Sequence, residues 1–484
     1  MKRLVIVGAG MATARLVEEL VALGATDTWS ITVLGDEAAP PYNRILLSAV
    51  LEGTHRPDAI ELRSPQWYAD HGIDLRLGSR VLGIDRGLSD VMLVDGTVIE
   101  YDALVLATGA IPTLPPIRGL VRRDGSLHES VHAFRHLGDC EQLLSALRGQ
   151  RRAVVVGGGL LGLQVARALA VRGLEVEMVE GGDHLLRQQV SRTAGRLLAR
   201  DLKKLGTQVY TGARVVRLVD AGAGPGFGLA PTREIDGRVS LVLDNGASLD
   251  TDLVVLTAGG RPATSLARKA DLETRRGIVV DDQLRSTSCG PDEHIYAIGD
   301  CAEHAGRTTG FVPPAWEQAE VLARVLVDRP VKYDGHRVVA RLRATDLDVA
   351  VLGDPEQAEG EVVEMTNPVR GSHRKLVVRD GRIVAGALVG DLSRIGLITQ
   401  HFDRQTVLGP NEPGELLLAV TEGESAPVVL PDEAEVCQCA GVSAGAIRAC
   451  SSLEQVRQDT RATTGCGGCS DVVRQLLASR VTAS

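Results

Sequence analysis

Aromatic side chains are scarce in this sequence. Phe, Tyr and Trp together make up 3% of the 484 residues, whereas glycine contributes 54 residues. Apolar residues reach 44% and charged residues 24%, which is typical of soluble globular proteins and excludes a disordered or fibrous chain. The cores must therefore be built from Val, Leu, Ile and Ala. This composition favours α/β sheets with many tight turns over an aromatic-rich β-sandwich.

Long apolar runs and an excess of positive charge are also missing. The longest stretch without a charged residue covers 15 residues, 103–117, and three prolines break it, so it is too short to span a membrane. Lys2 and Arg3 precede an apolar run that imitates a signal peptide, but the same run forms the first glycine turn described below, so we reject that interpretation. The 62 acidic residues exceed the 53 basic ones, which argues against a nucleic-acid partner.

Cysteine is absent from the first 139 residues, and five of the eight cysteines lie in the last 48. This uneven distribution is not that of a disulfide framework. It predicts a reducing, cytoplasmic environment and a metal or cluster site near the C-terminus.

Glycine-rich turns, by contrast, occur twice at equivalent places. A short apolar strand precedes GAGMAT (residues 8–13) and another precedes GGGLLG (157–162), and a helical pattern follows each turn. The first glycine of such a turn permits the bend, the second lets the backbone approach a pyrophosphate, and the helix N-terminus attracts its charge. One turn alone is weak evidence, but two βαβ units predict a protein that binds two dinucleotides. The predicted contacts are Gly8 and Gly10, and then Gly157, Gly159 and Gly162.

An acidic residue follows the second strand of each unit. In the first unit, Asp36 and Glu37 come after strand 31–34, and either carboxylate suits a ribose hydroxyl, so the choice between them stays open. In the second unit, strand 176–179 runs into Glu180, which would accept the 2′-hydroxyl of NADH and repel the 2′-phosphate of NADPH. The sequence therefore favours NADH. A solvated strand-end charge is the alternative for Glu180, and Arg187 is the nearby residue that suits a phosphate.

Two further strands end in motifs that carry a family resemblance. Residues 101–110 (YDALVLATGA) end in a Thr-Gly turn, and residues 295–300 (IYAIGD) end in Gly-Asp. They resemble motifs of the glutathione-reductase-like pyridine nucleotide flavoproteins, in which the aspartate holds the ribityl chain of FAD. Residues 41–48 (PYNRILLS) resemble the flavin-side loop of ferredoxin reductases, and residues 313–319 resemble a helix start near the flavin. The resemblance implies FAD contacts at Arg44, Thr108, Gly109, Gly299 and Asp300.

Three departures from the family pattern are visible. Disulfide reductases of this superfamily carry a Cys-x4-Cys pair facing the flavin, which this chain lacks, so a dithiol relay is excluded. Ferredoxin reductases often pair a Lys after the Leu-Ser with a Glu in the second glycine helix, and Ala49 and Gln164 stand at those places here. Losing both charges together avoids an unpaired buried ion. Thr13 replaces the third glycine of the first turn, so we expect its helix to pack less closely on the strand.

Four C-terminal cysteines form two close pairs, Cys437 with Cys439 and Cys466 with Cys469. Four thiolates at this spacing suit either zinc or a 2Fe-2S cluster. The cluster is favoured because the neighbouring glycines leave amides free to hydrogen-bond sulfur, and because a flavin upstream needs a one-electron acceptor. The segment also resembles the bacterioferritin-associated-ferredoxin-like module, a small helical 2Fe-2S domain. Inert packing roles are expected for Cys140, Cys289, Cys301 and Cys450.

The motifs divide the chain into two Rossmann-like dinucleotide-binding domains, a small α+β domain and a helical cluster module, in an α/β fold. The predicted boundaries are 1–140 with 255–328 for the FAD domain, 141–254 for the NADH domain, 330–408 for the α+β domain, 409–435 for a linker and 436–484 for the cluster module. Residues 374–386 alternate around an Asp-Gly turn and predict a β-hairpin. The hairpin domain is expected to serve as an interface, for example in a homodimer, and the linker is expected to be flexible.

Taken in order, these domains resemble the N-terminal half of the large subunit of bacterial NADH-dependent nitrite reductases. The sequence contains no further cysteine set for sirohaem and a 4Fe-4S cluster, so the resemblance implies an electron-transfer subunit that holds FAD, NADH and a 2Fe-2S cluster. These cofactors carry the hydride and the electrons, and no catalytic side chain is predicted. The implied acceptor is a separate molybdenum nitrate reductase or, second, a sirohaem nitrite reductase. A subunit of an amino-acid or amine dehydrogenase and a redox-sensing cluster protein are the alternatives.

Overall fold

The computed structural model describes residues 1–221, 237–329, 331–335, 337–342, 344–418, 430–437, 441–463 and 469–481. The chain divides into two compact units, Met1–Val338 and Val339–Ser484. The first unit contains both glycine turns, and the second contains the hairpin domain and the cluster module. In the described part of the chain, no helix is both long and apolar enough to cross a membrane. The finer domain boundaries stay predictions.

The first glycine turn lies at the edge of a five-stranded parallel sheet, which we call the first sheet. Its central strands are continuous apolar runs because helices cover both faces of such a sheet. In spatial order the strands are Ile295–Ala297, Ala103–Leu106, Lys2–Val7, Trp29–Leu34 and Asp74–Arg76.

The second glycine turn lies at the edge of another five-stranded parallel sheet, the second sheet. Its edge strand, Val131–Ala133, falls in the range predicted for the FAD domain, yet it pairs with Leu253–Leu256 here. The second sheet thus takes strands from both sides of the predicted boundaries at 140/141 and 254/255. In spatial order the strands are Thr207–Thr211, Glu175–Glu180, Arg152–Val156, Leu253–Leu256 and Val131–Ala133.

Smaller strand groups and helices complete the first unit. The antiparallel groups are Val81–Asp85 with Asp90–Leu93 and Val98–Glu100, Val215–Asp220 with Val239–Leu243 and Ser248–Thr251, and Ala110–Pro112 with Gly260–Pro262. Ile278–Val280 pairs in parallel with Ala302–His304. The α-helices are Met11–Ala22, Leu47–Glu52, Pro65–Asp70, Leu137–Ala146, Leu160–Val171, Arg192–Lys204, Ser265–Lys269 and Val312–Leu326. Short 3-10 helices occur at Ala25–Asp27, Arg44–Leu46, Asp58–Ile60 and Gly299–Cys301.

The second unit contains an antiparallel sheet that includes the predicted hairpin. Asp380 and Gly381, with φ of +50° and +70°, form the tight turn between its two strands, so the Asp-Gly prediction is confirmed. In spatial order the strands are Val339–Arg341, Val349–Leu352, Arg382–Val389, Ser372–Arg379 and Glu361–Asn367. Helix Ile395–Arg404 packs against Arg382–Val389.

The structure differs from the prediction at the start of the linker. Glu412–Glu415 forms a short helix, and Leu416 and Leu417 are buried in the same core as the hairpin strands. The side chain of Arg374 donates a hydrogen bond to the Leu417 carbonyl. The linker prediction relied on the Pro, Gly and Glu content of 409–435 and overlooked the apolar residues Leu416 and Leu417, which pack beside the sheet. The later linker residues 419–429 lie outside the described residues.

The cluster module is a small α-rich segment with one short strand pair, Glu435–Cys437 with Val442–Ser443. Its core contains Cys437, Cys450 and Cys469 together with aliphatic side chains such as Ile447 and Val473. The helices are Ala444–Ala449, Leu453–Gln455 and Ser470–Val481, with a π-helical turn at Val456–Thr460.

Candidate functional site

The residues predicted to bind FAD follow strands of the first sheet. Gly8 follows Lys2–Val7, Asp36 and Glu37 follow Trp29–Leu34 one residue later, and Thr108 comes shortly after Ala103–Leu106. Asp300 stands shortly after Ile295–Ala297. All these strands are parallel, so their carboxyl ends meet at one edge of the sheet, which is where α/β proteins bind ligands.

The first turn has the shape that a pyrophosphate requires. Gly8 has φ of +110°, and a Cβ placed there would lie 2.2 Å from the Ala107 carbonyl oxygen, so only glycine fits. Gly10 precedes helix Met11–Ala22, and a Cβ there would meet nothing within 4 Å. This open space in front of a helix N-terminus fits the pyrophosphate of FAD.

Thr13 makes a contact that the sequence analysis did not foresee. Its side chain is fully buried, and its hydroxyl donates a hydrogen bond of 2.5 Å to the Gly8 carbonyl oxygen. Thr13, at the third glycine position, therefore stabilises the turn, whereas the sequence analysis predicted only looser packing of its helix.

Glu37 lies at the centre of a polar cluster with Tyr42, Arg44 and His136. Its Oε2 accepts the Tyr42 hydroxyl at 2.7 Å, and its Oε1 accepts a short hydrogen bond from the Arg44 guanidinium. Burial opposes ionisation, but His136, Arg44 and Tyr42 together lower the pKa of Glu37 to about 2. Asp36 is exposed, and the ribose ligand stays a prediction between Asp36 and Glu37.

Arg135 and His136 belong to this site although the sequence analysis missed them. The Arg135 guanidinium donates to Asp300 at 2.7 Å, and Arg44 donates to the Arg135 carbonyl at 3.3 Å. The Asp139 carboxylate accepts the His136 amide at 2.9 Å at the start of helix Leu137–Ala146. Arg135 and His136 are each a single residue outside the glycine motifs, so no local pattern in the sequence marks them as part of the site.

Thr108, Gly109 and Gly299 hold neighbouring segments in place. The Thr108 hydroxyl donates to the Ala263 carbonyl at 2.8 Å, and the Gly109 carbonyl accepts from the Ala263 amide at 2.9 Å. The Gly299 amide donates to the buried Gln318 side chain at 2.7 Å, in the helix that begins at Val312. The loops after two strands are thereby fixed to the rest of the unit.

The second turn has the same geometry as the first and retains all three glycines. Gly157 has φ of +120°, and a Cβ there would lie 2.5 Å from the Thr257 carbonyl oxygen. Gly159 is open, with nothing within 4 Å of an added Cβ, while a Cβ at Gly162 would lie 2.0 Å from the Gly157 carbonyl oxygen. The third glycine is therefore needed here so that the helix can approach the strand closely.

Glu180 is held at the mouth of the second turn by backbone amides. Its Oε2 accepts from the Gly158 amide at 2.7 Å and its Oε1 from the Gly182 amide at 2.6 Å, while the Arg187 side chain lies 3.9 Å away. Each oxygen retains a lone pair, so the carboxylate is positioned to accept ribose hydroxyls. The arrangement fits NADH.

Uncharged polar side chains stand where the two nucleotide sites adjoin. Helix Leu47–Glu52 packs against helix Leu160–Val171, and the side chain of Arg172 donates to the Leu51 carbonyl. Ser48 in the first helix is buried, and its hydroxyl finds no hydrogen-bond partner among the described residues, while Gln164 in the second helix is nine-tenths buried. A buried hydroxyl without a partner is costly, which is consistent with a ligand group nearby.

Two of the four predicted cluster cysteines are described. Cys437 and Cys469 are buried in one core, and Cys439 and Cys466 lie outside the described residues. The Thr463 amide donates to the Cys469 sulfur at 3.3 Å. Such amide-to-sulfur bonds favour a thiolate, the form that ligates metal. By contrast, burial raises the pKa of Cys140 to about 12 and also raises that of Cys301, as expected for inert packing residues.

Comparison with known proteins identifies each part. The pyridine nucleotide-disulphide oxidoreductase model matches residues 2–319, the model for the C-terminal domain of rubredoxin NAD+ reductase matches 339–406, and the BFD-like 2Fe-2S binding domain matches 435–479. Among solved structures, a chain of the covalent putidaredoxin reductase–putidaredoxin complex aligns with a TM-score of 0.73 and 25% identity over 85% of this chain and 95% of that one.

The whole chain also aligns with curated relatives. It is 33% identical to a nitrite reductase (NAD(P)H) and 31% identical to the assimilatory nitrate reductase electron transfer subunit, both from Bacillus subtilis, over 98% of this chain. The alignments cover 57% and 59% of those proteins, so the chain spans less than two thirds of their length. A rubredoxin-NAD(+) reductase from Alcanivorax borkumensis is 30% identical over 81% of this chain and 96% of its own length.

These matches confirm the predicted family and its cofactors: FAD- and NAD-binding domains and a 2Fe-2S domain. They favour the cluster over zinc for the C-terminal cysteines. The chain belongs to the pyridine nucleotide-disulphide oxidoreductase family, as an oxidoreductase that carries a C-terminal BFD-like 2Fe-2S domain.

Proposed function

We propose that this protein is an NADH-dependent electron-transfer component that serves a separate assimilatory nitrate reductase. The observation that carries the proposal is that 98% of the chain aligns with the Bacillus subtilis electron transfer subunit, across all three cofactor modules. Bound FAD would accept a hydride from NADH, and a 2Fe-2S cluster would transfer electrons one at a time. The acceptor is proposed to be a molybdenum-containing catalytic subunit, with a sirohaem nitrite reductase as the second candidate.

The chain's own residues bind and orient these groups in this proposal. The proposed FAD contacts are Gly8, Gly10, Asp36 or Glu37, Arg44, Thr108, Gly109, Gly299 and Asp300, with Arg135 added from the geometry. The proposed NADH contacts are Gly157, Gly159, Gly162 and Glu180, and the cluster ligands are Cys437, Cys439, Cys466 and Cys469.

The test separates NADH oxidation from electron export. The purified chain should reduce ferricyanide with NADH but should not consume nitrate or nitrite. Adding the nitrate reductase catalytic subunit from the same organism should give NADH-dependent loss of nitrate. Cys466→Ser should leave reduction of bound FAD by NADH nearly intact, lower the iron and sulfide content, and abolish the transfer to that subunit.

Cys450→Ser is the matched control, because Cys450 is buried in the same core but stands outside the two cysteine pairs. It should retain iron, sulfide and electron export. Zinc in place of iron in the wild type, or ammonium formation from nitrite by the chain alone, would contradict the proposal. Reduction of FAD by an amino acid or amine would favour the dehydrogenase alternative, and no NADH oxidation at all would favour a redox sensor.

The proposal includes a homodimer formed through the hairpin domain. Strand Glu361–Asn367 is the edge of its sheet, and Val362 and Met365 on that strand are 55% and 40% exposed. Exposed edge strands with apolar side chains tend to pair with another chain. Light scattering on the purified protein should give twice the monomer mass, and Val362→Lys should shift the value towards the monomer.

A further inference from the structure

His136 occupies the junction between two predicted FAD contacts, Glu37 and Arg44. Its Nδ1 lies 2.7 Å from Nη1 of Arg44 and 3.1 Å from Oε1 of Glu37. Arg44 also donates to Oε1 of Glu37, so the three side chains form a closed triangle. The sequence analysis assigned no role to His136.

The chemistry of the three groups decides which hydrogen bonds the triangle contains. A guanidinium has donors and no acceptor, so Nδ1 of His136 must accept the hydrogen bond from Arg44. The imidazole is then neutral, with its proton on Nε2. The same Nδ1 cannot also donate to Glu37, although the distance of 3.1 Å would allow that bond if a proton were present. The triangle therefore has two arrangements that exclude each other.

We propose that His136 is a positioning residue for FAD whose protonation controls the place of Arg44. Neutral His136 accepts from Arg44 and holds the guanidinium beside Glu37. Protonated His136 donates to Glu37 and repels Arg44, since two cations would otherwise stand at hydrogen-bond distance.

Two neighbours of the imidazole, Glu37 and Tyr42, have shifted pKa values and do not change their charge near neutral pH. Burial raises the pKa of Glu37, but protonated His136 or Arg44, together with the Tyr42 hydroxyl, lowers it, so Glu37 stays ionised. Tyr42 donates to Glu37 and accepts from the Leu137 amide at 2.8 Å, and burial raises its pKa, so the phenol stays neutral. Asp139 accepts the amides of Arg135 and His136 at 2.8 Å and 2.9 Å. Histidine is the side chain whose charge ordinarily changes between about pH 5 and 8.

Arg44 connects the triangle to the other end of the FAD site. It donates to the carbonyl of Arg135, and the guanidinium of Arg135 pairs with Asp300. Displacing Arg44 therefore disturbs the contacts predicted at both the adenosine and the ribityl ends. FAD should bind most tightly when His136 is neutral. This inference rests on FAD at the first turn and does not depend on the electron acceptor.

The test follows FAD release from the holoprotein, which is read by the rise in flavin fluorescence on serial dilution between about pH 5.5 and 8.5. The wild-type dissociation constant should increase towards acid pH, approaching about tenfold per pH unit for one linked proton. His136→Asn keeps an acceptor near the position of Nδ1 and cannot be protonated. It should bind FAD as tightly as the wild type does at high pH, with little pH dependence. His136→Leu should bind weakly at every pH.

His128→Asn is the matched control. His128 is buried, its Nε2 lies 2.8 Å from Asp220, and its Nδ1 accepts from the Ser130 amide, and among the described residues no hydrogen bond joins it to a predicted FAD contact. This variant should keep the wild-type slope. A wild-type slope of zero, or the same slope in His136→Asn, would overturn the inference while leaving NADH oxidation and electron export untouched. If His136→Asn does not fold, His136→Gln replaces it, and the wild-type slope still decides.

Discussion

The two glycine turns of the first unit solve one packing problem in two ways. In both, the first glycine has positive φ and faces a carbonyl at the end of the neighbouring strand, that of Ala107 in one turn and of Thr257 in the other. In the first turn Thr13 fills the third position and its hydroxyl donates to the Gly8 carbonyl. In the second, Gly162 leaves that space empty, and the Thr257 hydroxyl donates to the Gly157 carbonyl at 3.0 Å.

The hydroxyl group thus comes from the helix in the first turn and from the residue after the neighbouring strand in the second. The first combines Thr13 on the helix with Ala107 after the strand, and the second combines Gly162 with Thr257. Each keeps a hydroxyl donor on the carbonyl of its first glycine. The comparison shows that a glycine at the third position is one way to let the helix approach the strand closely. A threonine can take that position when its hydroxyl donates a hydrogen bond to the carbonyl of the first glycine.

The largest loss of stability is expected when the threonine of the first turn is introduced at the third glycine of the second turn. Gly162→Thr places a Cβ 2.0 Å from a backbone carbonyl and 2.9 Å from the Thr257 hydroxyl, and neither can move aside easily. We expect destabilisation of about 3 kcal/mol and loss of NADH binding. Thermal unfolding and NADH titration measure both. Thr13→Gly, which copies the second solution into the first turn, should be far milder, and equal losses in the two variants would contradict the comparison.

A smaller effect separates the acidic residues that follow the turns. Glu37 is engaged by side chains, whereas Glu180 is held by two backbone amides and faces the second turn. Losing a ribose hydrogen bond to a charged group costs about 1.5 to 3 kcal/mol, so NADH should reduce the flavin roughly tenfold to over a hundredfold faster than NADPH. Stopped-flow absorbance at about 450 nm gives both rates. Glu180→Gln should narrow the ratio, and equal wild-type rates would refute the role of Glu180.

The smallest effect should come from removing each hydroxyl while keeping its shape. Thr13→Val and Thr257→Val each leave a buried carbonyl without that donor, at a cost of about 1 kcal/mol. Thr13→Val should weaken FAD binding and Thr257→Val should weaken NADH binding. Chemical denaturation and titration of each nucleotide measure these changes. Adding Ala107→Thr to Thr13→Gly should recover part of the lost stability, and a further loss would show that the hydroxyls are not interchangeable.

The fold could be predicted from the sequence where a short run of residues determines the local structure. The paired glycine turns, the buried strands that precede them and the Asp-Gly hairpin are all encoded within about ten residues, and the structure has each of them. Val131–Ala133 is a strand of three residues that pairs with Leu253–Leu256, more than a hundred residues away, so no local pattern marks it.

The candidate site was harder to predict where contacts are made across the fold. Arg135 meets Asp300, and His136 meets Glu37, through the packing of a helix start against the first sheet. An isolated Arg or His in a sequence is ordinarily a surface residue, so nothing in the chain singled these out. The role of the Thr257 hydroxyl was missed for a similar reason, because the hydrogen bond that it donates to the Gly157 carbonyl exists only in the folded protein.

The short strand Val131–Ala133 also connects the two sheets. It is hydrogen-bonded into the second sheet, and only the buried Phe134 separates it from Arg135, which pairs with Asp300 at the edge of the first sheet. One residue spans no more than about 3.6 Å, so the backbone of Arg135 stays close to the second sheet, and its side chain makes the connection to Asp300. Hydride transfer needs its reacting atoms within about 3.5 Å of each other. The short connection through Phe134 and Arg135 therefore favours a constant distance between the two sheet edges.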